Sequence, residues 1–221
     1  MIELNKLYNC DCMELMAQIP DKYFELAIVD PPYGGVGKGG YMQNAPTTSG
    51  VAKHRNYHLA LWNQNKPPAQ YFDELKRVSK NQIIWGGNYF TTLISNDSQC
   101  WVVWDKQNDQ TKFADFELAY TSFNRASLIF RYMWNGMLQG NMKHKDIKIH
   151  PTQKPVALYE WLLSKFADKG DKILDTHAGS ASSLVACHNM GFDFVGCEID
   201  EEYYRLANER LKAAQAQLTL F

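Results

Sequence analysis

The chain has almost no net charge, with a formal value of −1 and a sequence pI near 6.6. No global basic field draws it to nucleic acid, so any such contact rests on local patches. Cysteine is sparse and unpaired in pattern: there are five, an odd number without a CxxC pair. That excludes a disulfide framework and leads us to expect a reduced, cytoplasmic protein. Cys10 with Cys12, or Cys187 with His188, are poorly spaced for zinc, and no metal is expected. Neither a signal peptide nor a long apolar segment is visible. Repeats, low-complexity blocks and a GxGxxG fingerprint are also missing, and the last absence weighs against a nicotinamide dehydrogenase.

At 221 residues and 45% hydrophobic content, there is room for one α/β domain with a full core but not for two large ones. We expect a single domain over residues 1–216, with insertions near 34–66 and 134–149, and a tail peptide at 217–221. Strand-like runs at residues 3–8, 26–30, 82–85, 100–104, 118–121, 172–174 and 194–197 alternate with helical stretches at 12–18, 69–79, 154–167, 182–190 and 200–217. Residues 128–132 are expected to pair with 118–121. Strands alternating with helices predict a doubly wound, mostly parallel sheet.

Two constellations carry chemistry. The first is Ile28-Val29-Asp30-Pro31-Pro32-Tyr33, an apolar run ending at an acid, two prolines and an aromatic. The prolines lack N–H groups and fix φ, so the loop is stiff and its carbonyls point in set directions. If an exocyclic amino group donates one hydrogen to Asp30 and the other to a carbonyl such as that of Pro31, its lone pair faces outward toward a methyl sulfonium. Positive charge grows on that nitrogen during transfer, and a carboxylate stabilises it most in the transition state. Tyr33 offers a flat face to an extruded base. The bland alternative is a strand followed by a proline-rich turn.

The second constellation is the small-residue run Thr176 to Ser182 after Ile173-Leu174-Asp175, followed by a strand that ends at Glu198. Small side chains open the backbone N–H groups at a helix start to a ligand, and an acid on the next strand can accept from both ribose hydroxyls. Together they describe an adenosine site.

The order Asp-Pro-Pro-Tyr, then His150-Pro151-Thr152-Gln153-Lys154-Pro155, then the Asp175–Gly179 loop with Glu198, resembles the class β DNA amino methyltransferases. Trp85-Gly86-Gly87-Asn88 and Val103-Trp104-Asp105-Lys106 resemble further segments of that family. The resemblance implies a circularly permuted, seven-stranded methyltransferase sheet in which residues 3–8 form the third strand. It implies S-adenosylmethionine as cofactor, with Asp11 and Cys12 beside the adenine, Glu198 on the ribose, and Asp175, Ala178, Gly179 and Ser180 around the methionine part. Thr152 and Lys154 would reach its carboxylate, and Asp30 closes the site. One departure stands out: relatives usually carry phenylalanine and a second glycine where this chain has His177-Ala178 and Ala181. Aspartate at position 30 is more typical of adenine than of cytosine methylation, so adenine in double-stranded DNA, reached by base flipping, is the expected target. Such enzymes belong to restriction–modification, and relatives often form homodimers.

Lys38, Lys53, His54 and Arg55 lie among aromatics in the stretch 34–66, and Lys143 and Lys145 form a second basic cluster. These are the candidate DNA contacts. Gln217, Leu218, Leu220 and Phe221 look like the QLxLF peptide with which bacterial proteins dock on the replication sliding clamp; the alternative is a helix end packed on its own domain. A cytosine or RNA amino methyltransferase, and a non-catalytic DNA-binding relative, remain open on the sequence alone.

Overall fold

The computed structural model describes residues 2–34, 65–94, 97–109, 114–135 and 138–217. Its strands in chain order are β1 (Lys6–Asn9), β2 (Phe24–Val29), β3 (Ser79–Trp85), β4 (Trp101–Asp105), β5 (Phe116–Thr121), β6 (Leu128–Arg131), β7 (Trp134–Asn135), β8 (Leu138–Gln139), β9 (Lys172–Asp175) and β10 (Asp193–Glu198). Eight of them form one sheet in the order β1-β10-β9-β2-β3-β5-β4-β6, and β7 with β8 makes a separate hairpin. Every strand of the large sheet runs parallel to its neighbours except β5, which is antiparallel to both β3 and β4.

The row β9, β10, β1 puts the first strand of the chain third in its half of the sheet, the place expected for residues 3–8 in a permuted methyltransferase fold. Two expectations need correction. The described sheet has eight strands, not seven, and β6 pairs in parallel with β4 rather than with residues 118–121. The reason is positional: β3 and β4 fill both edges of β5, so the edge left for β6 is that of β4.

The helices are α1 (Cys12–Met16), α2 (Ala69–Val78), α3 (Thr91–Ile94), α4 (Val156–Phe166), α5 (Ser182–Met190) and α6 (Glu201–Ala216). They cover both faces of the sheet, and the strands show why. Leu26, Ile28, Ile83 and Ile173 pack with residues of α4, α5 and α6. Ala27, Val29, Ile84 and Leu174, one position along, pack with α1, α2 and α3. This is the period of two that a strand buried on both sides requires, and each fully buried aliphatic contributes about 1.5–3 kcal/mol.

Helix ends position the site. Asp200 caps α6 by accepting from the N–H groups of Glu202 and Tyr203, with Glu201 and Glu202 in its first turn. Pro155 precedes α4 and offers no side-chain cap; the first N–H of α4, on Val156, is taken by Asp146 at 3.0 Å. Asp146 also pairs with Arg210 of α6 at 3.1 Å. The segment between β8 and α4 is thereby tied to two helices.

Candidate active site

The carboxyl ends of β10, β9, β2 and β3 lie side by side, and each carries a residue expected to matter. Asp30 follows β2 directly. Its Oδ1 accepts from the Tyr33 hydroxyl at 2.6 Å, and its Oδ2 accepts from the Lys154 ammonium. Lys154 is only 4% exposed, and its Nζ is also 3.2 Å from Glu117 Oε2 on β5. Glu117 in turn pairs with Lys106, just beyond β4, at 2.5 Å. The result is a row of alternating charge: Asp30, Lys154, Glu117, Lys106.

Burial alone would make Lys154 shed its proton, but Asp30 and Glu117 outweigh it and hold the ammonium above its ordinary pKa. Burial likewise pushes the Glu117 carboxyl up, and the two lysines overcome that push and bring it down to about 2. Lys154 and Glu117 are therefore both charged near neutral pH.

Tyr33 is stacked on Tyr89 (centroids 5.0 Å apart, planes at 30°) and meets Phe90 edge-on. Gly86 sits beneath it at φ +67°, where a Cβ would come within 2.2 Å of the ring. Any side chain at position 86 would displace Tyr33 and with it one hydrogen bond to Asp30. The residue read from the sequence as a platform for a base thus has one face already covered.

The segment His150 to Lys154 uses each polar side chain. Gln153 accepts from the Ile149 N–H and donates to the Ile147 carbonyl, pinning the incoming loop. Thr152 Oγ1 lies 3.1 Å from Nδ1 of His150, which rests edge-on against Tyr203. Burial drives His150 down to about 3, so it is neutral. Of the two residues expected at the cofactor's carboxylate, Lys154 here bonds Asp30 and Glu117, and Thr152 faces His150.

The second cluster joins β9 and β10. Asp175, 2% exposed, accepts from the His177 N–H at 3.0 Å and from the Ser183 hydroxyl. Burial pushes it up to about 7 against the lowering by these two hydrogen bonds, and Asp30 and Glu198 lie near enough to add to the push. Glu198 Oε2 accepts from the Gly179 N–H and Oε1 from the Asp200 N–H, both at 2.9 Å. The Ala178 N–H bonds the Cys197 carbonyl, which fixes the loop to β10. Gly179 and Ala181 both take positive φ, 52° and 57°, so the left-handed turn persists at Ala181 although alanine favours it less than glycine. Ser180 Oγ lies 3.1 Å from Ser182 Oγ. His177 stands edge-on to Tyr71, with Nδ1 3.0 Å from Thr176 Oγ1. Asp11 caps α1 through the Met13 N–H at 2.7 Å, and burial beside it pushes the Cys12 thiol up to about 12.

Lys143 and Lys145 are exposed on the segment between β8 and α4, flanked by exposed Met142 and Ile147. Lys38, Lys53, His54 and Arg55 lie outside the described residues, as do Leu218, Leu220 and Phe221 of the tail; Gln217, which follows α6, is exposed. Glu117, Lys106, Tyr71 and His150 join the site although the sequence does not single them out. Of these only Lys106, within Val103-Trp104-Asp105-Lys106, and His150, opening its motif, sit in segments that carry a signal.

A family model described as DNA methylase, covering the N6 and N4 enzymes, matches residues 95–209, just over half of the chain. The chain belongs to this N6/N4 DNA methylase family. Among curated relatives, the type II methyltransferase M1.MboII of Moraxella bovis is 24% identical over 252 aligned positions, spanning 94% of this chain and 96% of that protein. Among solved structures, the M1.HpyAVI–SAM complex superposes with a TM-score of 0.57 at 20% identity, covering 93% of this DNA methylase and 98% of that chain. The cytosine-N4-specific PvuII DNA methyltransferase superposes with a TM-score of 0.59 at 12% identity, covering 97% and 92%. At these identities the structural likeness speaks for the shared fold.

Proposed function

We propose that this DNA methylase transfers the methyl group of S-adenosylmethionine to the exocyclic amino group of adenine in a short sequence of double-stranded DNA, acting on a base turned out of the helix. The observation that carries this reading is the Asp30 carboxylate at the carboxyl end of β2, held at both oxygens by Tyr33 and Lys154 and followed by the rigid Pro31-Pro32 pair. An amino group bonded to Asp30 and a loop carbonyl presents its lone pair outward, and Asp30 stabilises the positive charge that develops on the nitrogen. The bound cofactor supplies an electrophilic methyl group on its sulfonium.

The residues present fit that cofactor. A carboxylate has roughly four acceptor sites, and Glu198 uses two on backbone N–H groups, leaving two for ribose hydroxyls. Ala178, Gly179 and Ser180 keep side chains small where the methionine part would lie, at the start of α5. Asp175 holds that loop through its hydrogen bonds, Asp11 and Cys12 would border the adenine side, and Thr152 is the hydroxyl that the His150 segment offers. Exposed Lys143 and Lys145 would meet phosphates, and their apolar neighbours suit insertion beside an opened base pair.

The test is transfer of radiolabelled methyl from S-adenosylmethionine to unmethylated genomic DNA, followed by digestion to nucleosides. Label in N6-methyladenine, absent with Asp30→Ala, supports the reading. Label in N4-methylcytosine moves the target to cytosine, which the same hydrogen-bond geometry serves, and no label on DNA overturns the proposal.

A further inference from the structure

Asp30 must offer its negative charge to the target amino group, yet its Oδ2 shares that charge with the ammonium of Lys154. A cation on that oxygen competes with the incoming donor, and it opposes the positive charge that builds on the target nitrogen. Without somewhere else to go, Lys154 would inhibit the group it touches. Glu117 Oε2 is 3.2 Å from the same Nζ, already within hydrogen-bond reach, so the ammonium can pass from one carboxylate to the other with a small shift. Lys106 bonds the opposite oxygen of Glu117 at 2.5 Å, which orients that carboxylate and leaves Oε2 turned to Lys154.

We infer that Glu117 is a positioning residue for methyl transfer: it takes over the Lys154 ammonium when the target base occupies Asp30, and Lys106 holds it ready to do so. Lys154 then serves two states. In the resting site it bridges Asp30 and Glu117 and keeps the catalytic carboxylate in place. With the base bound it stays paired with Glu117, buried but not orphaned, and Asp30 is released to the amine. Loss of Glu117 fixes Lys154 on Asp30, because a buried ammonium does not give up its last carboxylate without a large penalty.

The inference rests on the reading of Asp30 as the amine acceptor, and the assay separates the two. Methyl transfer to DNA is measured for the wild type, Asp30→Asn, Glu117→Gln, Glu117→Asp, Lys154→Met and the double variant Glu117→Gln/Lys154→Met, with cofactor Kd measured in parallel. For Glu117→Gln we expect kcat to fall about tenfold or more, with the KM for DNA and the cofactor Kd within about twofold of wild type. Glu117→Asp, which keeps the charge on a shorter arm, is expected to fall between the two and also serves if Glu117→Gln does not fold. The double variant should be no slower than Lys154→Met alone, since Glu117 acts only through that lysine. Wild-type kcat in Glu117→Gln, or losses that multiply in the double variant, would overturn the role of Glu117. A wild-type chain inactive on DNA, or an Asp30→Asn variant as active as wild type, would instead overturn the reading on which it rests.

Discussion

Asp175 and Glu117 are two carboxyl groups drawn into the same end of one sheet, and they are pushed in opposite directions. Asp175 is surrounded by a backbone N–H and a hydroxyl and rises to about 7; Glu117 stands between two lysines and falls to about 2. Burial acts upward on both, so the partners decide the sign. The β9–β10 half is built from neutral donors, which suits a ligand that brings its own charge. The β2–β5 half is built from alternating ions and supplies charge to a reaction. The division matches the proposed roles, cofactor binding on one side and amine chemistry on the other.

Short of replacing Asp30 itself, a large disturbance of the amine half is expected from Gly86→Ala. A Cβ there would collide with the Tyr33 ring, so Tyr33 loses its bond to Asp30. We expect kcat to drop at least about tenfold while cofactor Kd changes less than twofold. Equal loss of cofactor binding would show that the halves are not separable.

A second experiment contrasts the buried groups through stability. Asp175 titrates near 7 in the folded chain against an ordinary value of 3.8. The folded state therefore binds more protons between these values, and the contribution of Asp175 to stability declines as pH rises from about 4 to 7. His150 and His177, lowered to about 3 and 4 from 6.5 mainly by burial, act in the other sense and cost stability as pH falls below 6.5. Asp175→Asn removes only the first effect. Without cofactor, its unfolding free energy should gain on the wild type between pH 5 and 8, by up to about 2 kcal/mol. A difference that is constant with pH would contradict the assignment.

The smallest expected effect concerns the surface. Lys143→Ala with Lys145→Ala should weaken DNA binding across sequences and reduce the slope of log affinity against log salt by about one for each phosphate no longer neutralised, with kcat at saturating DNA unchanged. An unaltered slope would remove these lysines from the interface.

The same division governs what is legible in the sequence. The Asp175 loop and Glu198 can be read there because their partners are near in the chain: Gly179 and Glu198 are 19 residues apart and belong to one strand–helix–strand unit. Asp30 is legible by its prolines and Tyr33, three residues on. Its contact with Lys154 spans 124 positions, and Glu117 sits in a strand with no local motif, so that row of ions follows only from the fold. The same holds for β6: its pattern marks a strand, but its partner depends on β3 and β4 already occupying both edges of β5. The imidazole of His177, a departure from the family pattern, stands edge-on to Tyr71.

The most direct test of the division is a paired measurement on Asp30→Asn and Glu198→Ala, with cofactor Kd by calorimetry and methyl transfer to DNA at saturating cofactor. Asp30→Asn should lose about 100-fold or more in transfer with cofactor Kd within about twofold, whereas Glu198→Ala should weaken cofactor binding about tenfold or more. Wild-type cofactor affinity in Glu198→Ala, or its loss in Asp30→Asn, would contradict the account.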